Sequence, residues 1–261
     1  ETLGGEAPKQ NAMSVKSDNR SPRNVGPSYQ VKVRNARGEA REYQNYMLPM
    51  TLDGRMYLLS GVRESPNEPF RYLRFPVDAK GSIDTFMRLR ATLMDPARHG
   101  EIAKRFALGT LPAEERGGEL QRRLETSADN ILGLFAQGGY SALGQFIETN
   151  IPQNEREKAT QTFLRILELS AFEALKLANA QAGEPPPASD DATGFFVRDS
   201  LNAFSDLFFY GAPVYLQLQS FEQVQASGLQ MTRSPGKNLV YPGSVLLVLG
   251  IFAMLYVRER R

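Results

Sequence analysis

The run Leu239-Val-Tyr-Pro-Gly-Ser-Val-Leu-Leu-Val-Leu-Gly-Ile-Phe-Ala-Met-Leu-Tyr-Val257 holds nineteen residues without a charge. At helical rise it covers roughly 28 Å. The hydrocarbon layer of a bilayer is about 30 Å thick, so the segment is long enough to cross it with little tilt. Backbone polar groups find no partner in lipid, which predicts an α-helix. Tyr241 and Tyr256 stand at its two ends, where a ring and its hydroxyl can straddle the polar boundary. A buried helix of a soluble protein seldom runs so far without a polar side. A membrane-anchored chain is the reading that follows.

Arg258, Arg260 and Arg261 follow the run, and Arg233 and Lys237 precede it. The positive-inside bias then places 258–261 as a cytoplasmic tail and the preceding chain on the other side, the periplasm of a Gram-negative cell. Gly243, Leu247, Gly250 and Met254 share one helical face. Two small residues there allow close approach, so a neighbouring transmembrane helix is expected. Pro242 falls in the first turn, where its missing N–H has no helical partner.

With 261 residues, 41% apolar, the chain can also build a sizeable core outside the membrane. A net charge of +2 gives no general affinity for nucleic acid. There are no cysteines, which excludes disulfide staples, thiol nucleophiles and thiolate metal sites. The chain opens on Glu1 without an apolar signal segment, so earlier membrane helices of a longer polypeptide are expected.

Residues 1–28 are rich in Pro, Ser, Asn and Gly with no apolar period and read as a flexible segment. From Tyr29 strand patterns begin. Turns are expected at Asn35–Gly38 and at Asp53–Gly54, the latter a hairpin signal, and Phe70–Phe75 alternates aromatic and basic residues. This predicts an antiparallel sheet over 29–78, rejoined by a strand within 213–232, where Val214–Phe221 alternates. Helical spacing fills 82–210: a helix from Ser82 ended by Pro96, a short one over 101–108, helices over 119–135 and 140–149, and a long one over 155–182 capped by Asn154. An exposed loop over 183–194 precedes a Phe-rich helix over 195–210. The fold class is therefore α+β and membrane-anchored. A periplasmic domain (29–238) carries a helical insertion, and the transmembrane helix (239–257) follows it.

Candidate chemistry is sparse. His99, the one histidine, reads as an exposed loop residue, since no second His or Cys can complete a site. Glu114–Glu115 and Asp190–Asp191 read as solvated pairs rather than a catalytic dyad. Gly117–Gly118 and Gly138–Gly139 lack any phosphate-binding framework and read as helix boundaries. Arg71 and Arg74, set among Phe70, Tyr72 and Phe75, are a possible partner-facing basic patch, or else solvated arginines on a half-buried strand. Residues alone thus point to a domain that acts by holding something. One form is a scaffold for a lipid or secretion partner, with an apolar cavity among Phe163, Phe204, Phe208 and Phe209.

Three stretches go further: Gln225-Ala-Ser-Gly228, the junction Arg233-Ser234-Pro235-Gly236-Lys237 with Tyr241 beside the last helix, and Asp53–Glu64 with Phe70–Asp78. They resemble the ResB (CcsB) family of system II cytochrome c biogenesis. The resemblance implies a partnership with the membrane protein CcsA (ResC), separate or fused. Together the two export haem across the inner membrane and support its attachment to CxxCH motifs of apocytochrome c. It further implies haem b as the transported substrate and, as an additional partner, a thioredoxin-like thiol reductant. The family's transmembrane histidine ligand has no counterpart in 239–257, so no haem ligand is assigned to this chain. No catalytic residue is recognised either.

Overall fold

The computed structural model describes residues 26–210, Leu218 and 236–259. It divides into two units, Glu1–Gln219 and Ser220–Arg261.

In the first unit five strands form one antiparallel sheet: β1 (Ser28–Arg34), β2 (Ala40–Tyr46), β3 (Met50–Leu52), β4 (Arg55–Arg63) and β5 (Arg71–Pro76). The β1–β2 turn is closed by Asn35, whose Oδ1 accepts from the backbone of Arg37 and Glu39. Asp53 and Gly54 both take positive φ, 51° and 76°, the geometry that lets a two-residue turn follow the twist of its strands. β4 is the central strand. One edge pairs with β3 over Arg55–Tyr57 and with β2 over Ser60–Arg63, and the other pairs with β5. β2 and β3 thus lie end to end, separated where Pro49 supplies no N–H.

Five helices follow: α1 (Asp84–Met94), α2 (Pro96–Thr110), α3 (Glu119–Asn150), α4 (Arg156–Gln181) and α5 (Asp191–Tyr210). Their boundaries show where local chemistry overrules pattern. Pro96 does not merely stop α1; it is the first residue of α2, whose free backbone N–H at Ala97 donates to the Asp95 carboxylate. That carboxyl is held below its usual range, first by the Arg98 hydrogen bond and then by the Ala97 amide. α2 is accordingly far longer than 101–108, and His99 falls inside it. α3 changes direction at Gly138–Gly139, the boundary expected from sequence. Asn154 does not cap α4; Glu155 takes that position without a side-chain bond. α5 begins four residues before Phe195, because Asp190 accepts from the Thr193 N–H and organises the first turn inside the stretch expected to be loop.

Among the described residues three apolar clusters hold the unit together, and two of them are large. One lies between sheet and helices, where Tyr43, Leu58, Val62, Leu73 and Phe75 meet Phe86 of α1 and Ala203, Leu207 and Tyr210 of α5. The other fills the helical part, with Phe135 stacked on Phe204 at 4.9 Å. The strand expected within 213–232 lies outside the described residues, apart from Leu218, which is in no strand.

The second unit contains α6 (Lys237–Glu259). Leu239–Glu259 is long and apolar enough to cross a membrane, and none of it is buried. Its mean hydropathy of 2.1 fits a membrane anchor.

Candidate functional site: an arginine–aromatic face of the sheet

Strand register fixes which side chains meet. Glu42 opposes Arg63, Gln44 opposes Gly61, and Gly61 in turn opposes Tyr72, while Leu59 opposes Arg74. Period-two alternation puts Tyr57, Gly61, Arg63, Tyr72 and Arg74 on one face of the pleat. The missing side chain of Gly61 gives this face its shape. A Cβ there would lie 2.7 Å from the Tyr72 ring and 3.1 Å from Phe70, so two aromatic rings close directly over bare backbone.

Around those rings sit cations. The Arg63 guanidinium is 4.4 Å from the centre of Phe70 and bonds Glu42 at 2.8 Å through Nε. Lys32 reaches the same carboxylate at 2.8 Å. Hydrogen bonds from Lys32 and then Arg63 hold Glu42 below the normal carboxylate range. The Tyr72 hydroxyl donates to Gln44 at 3.1 Å. Its pKa is raised by burial first and by the neighbouring Tyr46 second.

At the far end of the face Arg55 donates to both oxygens of Asp199, at 2.8 and 3.0 Å, and Tyr57 donates to the same carboxylate at 2.7 Å. Burial and the Asp199 contact push the Tyr57 hydroxyl up to about 12. Arg55 also lies 5.3 Å from the Phe195 ring, and Arg74 lies 5.9 Å from Tyr57. The arrangement places guanidinium planes beside aromatic faces at fixed positions. Guanidinium groups stacked on aromatic rings in this way are able to recognise flat or anionic groups by stacking and charge.

The expected Arg71–Arg74 patch is not one surface. Three positions apart on a strand means opposite faces, and Arg71 lies over Tyr210 of α5 at 5.5 Å. Phe75, which was expected beside them, is in the core. His99 is not an exposed loop residue. It is 4% accessible, and its Nε2 donates to the Leu93 carbonyl at 2.8 Å, tying α2 to the last turn of α1. The four phenylalanines proposed to line a cavity are differently employed: Phe204 is core, Phe163 stacks on Phe146, and Phe208 and Phe209 face outward. Asp190 serves as a cap, and Glu114 and Glu115 sit in an exposed 3₁₀ turn. Among the described residues no group of three or more His, Asp or Glu could hold a metal ion.

On α6, Gly243, Leu247, Gly250 and Met254 are open, and a Cβ on either glycine would meet nothing within 4 Å. Of the junction motif, Arg233, Ser234 and Pro235 lie outside the described residues. The Gly236 carbonyl accepts from Leu239 and Val240, Lys237 begins the helix, and Tyr241 is exposed. Sequence reasoning missed the Arg55–Tyr57–Asp199 contact, whose partners stand 144 positions apart and share no local signal.

The fold is α+β, with an antiparallel sheet, helices and one C-terminal apolar helix that fits a membrane anchor. The chain matches the model of the ResB-like family over residues 3–261, and it belongs to that family. No curated protein and no solved structure gives a match. Membership supports a role in cytochrome c biogenesis, within a family that is generally part of a cytochrome c synthase complex.

Proposed function

We propose that this chain is the ResB component of a system II cytochrome c synthase. With CcsA (ResC) it exports haem across the inner membrane and supports attachment of haem to the CxxCH motif of apocytochrome c. The observation that carries the reading is the family match over nearly the whole chain, which ends in a helix long and apolar enough to cross a membrane. Haem b is the transported substrate, with its ligands outside this chain, and a thioredoxin-like reductant keeps the acceptor thiols reduced. The first unit lies in the periplasm and residues 258–261 in the cytoplasm. In this reading the Gly243–Gly250 face of α6 packs against a helix of CcsA, and the arginine–aromatic face receives a partner.

The test is co-purification of the tagged full-length protein from membranes. CcsA should accompany it, with a haem absorption band. Recovery of neither, together with undiminished covalent cytochrome c in a deletion strain, would overturn the proposal.

A further inference from the structure

Two tyrosines meet on one face of the sheet although their strands are not neighbours. Tyr46 ends β2 and Tyr72 lies in β5, with β4 between the two strands. Strands stand about 4.8 Å apart, so a side chain on β5 must reach about 10 Å to touch β2. Gly61 of β4 makes that reach possible. It opposes Gln44 on one side and Tyr72 on the other, and its missing side chain lets the Tyr72 ring lie across β4. The Tyr72 hydroxyl then donates to Gln44 at 3.1 Å. Tyr46 stands two positions beyond Gln44 on the same face, and its ring centre is 6.0 Å from that of Tyr72. Both tyrosines are partly accessible. Others in the first unit keep different company: Tyr57 donates to Asp199, Tyr140 meets Phe135, and Tyr210 lies under Arg71. The chain has neither tryptophan nor cysteine, side chains that would compete with tyrosine for a one-electron oxidant.

We propose that Tyr46 and Tyr72 are an oxidative cross-linking site, where one-electron oxidation joins them as dityrosine and staples β2 to β5 across β4. Each phenol gives up its O–H proton and one electron, leaving a phenoxyl radical with spin on the ring carbons beside the oxygen. A carbon–carbon bond forms between those carbons of the two rings. Their ring hydrogens then move to the oxygens, which restores both hydroxyls. The pair has lost two protons and two electrons in all. The co-reactant is a peroxide acting through a metal catalyst, and one molecule of hydrogen peroxide takes up those protons and electrons to become two of water. The site is independent of the haem-export reading.

The test treats dilute full-length protein in detergent with peroxidase and hydrogen peroxide, under conditions in which free tyrosine is coupled. The monomer band should gain dityrosine fluorescence. Tryptic mass spectrometry should find the peptide that begins at Glu42 joined to the one that begins at Tyr72, lighter than their sum by two hydrogens. Y46F and Y72F each remove one hydroxyl and should abolish this product, with the fold checked by circular dichroism. G61A keeps both tyrosines but lifts the Tyr72 ring away from β4, and it should lower the yield. Should G61A not fold, the two phenylalanine variants still decide. A monomer without dityrosine overturns the proposal. So does the same joined peptide from Y46F, which would assign the bond to Tyr43, or dityrosine found only between two molecules.

Discussion

At the scale of single residues, Gly139 leaves no room for a side chain. Its φ is +62°, and a Cβ would lie 2.5 Å from Ser205 Oγ and 2.8 Å from Ser205 Cα. The same hydroxyl accepts the Tyr140 N–H at 3.0 Å, so the bend in α3 is closed by α5 itself. Gly139→Ala combines backbone strain with overpacking and should cost roughly 3 kcal/mol or more. Urea denaturation followed by circular dichroism would measure it, and a loss within error of zero would contradict this packing. Asp206 works in the opposite direction. Burial raises its folded pKa to about 6, above the ordinary 3.8. The folded state therefore holds the proton more tightly, and the stability this brings is full below pH 3.8 and lost as pH rises through 6. Asp206→Asn should stabilise the protein near pH 7.5 by up to about 1 kcal/mol, given the screening of a partly exposed group. The gain should vanish near pH 4, and melting curves at the two pH values check this.

At the scale of elements, the clasp between β4 and α5 is carried by one carboxylate. Asp199 accepts from Arg55 and Tyr57, and its side chain is only 11% accessible. Asp199→Ala leaves a guanidinium and a buried hydroxyl without their acceptor and should lower stability by roughly 2–3 kcal/mol. In the same variant the Tyr57 hydroxyl should ionise at lower pH, since one cause of its raised value is gone. Ultraviolet titration of the tyrosines would detect that shift, and an unchanged titration would contradict the contact. Element boundaries were legible only where the chain carries its own signal. Asp53–Gly54 marked its hairpin because that dipeptide tolerates positive φ, and Gly138–Gly139 marked the bend in α3. The beginnings of α2 and α5 were misplaced because Pro96 and the Pro-rich 184–187 look like breakers, while Asp95 and Asp190 act as caps once the following backbone turns.

At the scale of the whole molecule, the proposed function depends on α6 being solvated by lipid. Gly250→Arg puts a charge in the middle of the apolar run and should cost about 2–4 kcal/mol of insertion energy. The measurement is the fraction of protein that resists alkaline carbonate extraction of membranes, which should fall well below that of the unaltered chain. The span could be read from composition alone, because nineteen uncharged residues need no tertiary partner to be apolar. The strands of 29–78 followed from period-two alternation, and the family was legible in motifs beside the last helix. The sequence by itself thus determined the anchor, the antiparallel sheet and the helical character of 82–210. Tertiary structure alone decided that Arg71 and Arg74 part company, that His99 is buried under α1, and that Asp199 gathers Arg55 and Tyr57 from far along the chain. The reason is physical: periodicity reports which side of its own element a residue occupies. Which surface then covers that side depends on contacts between elements that no local pattern encodes.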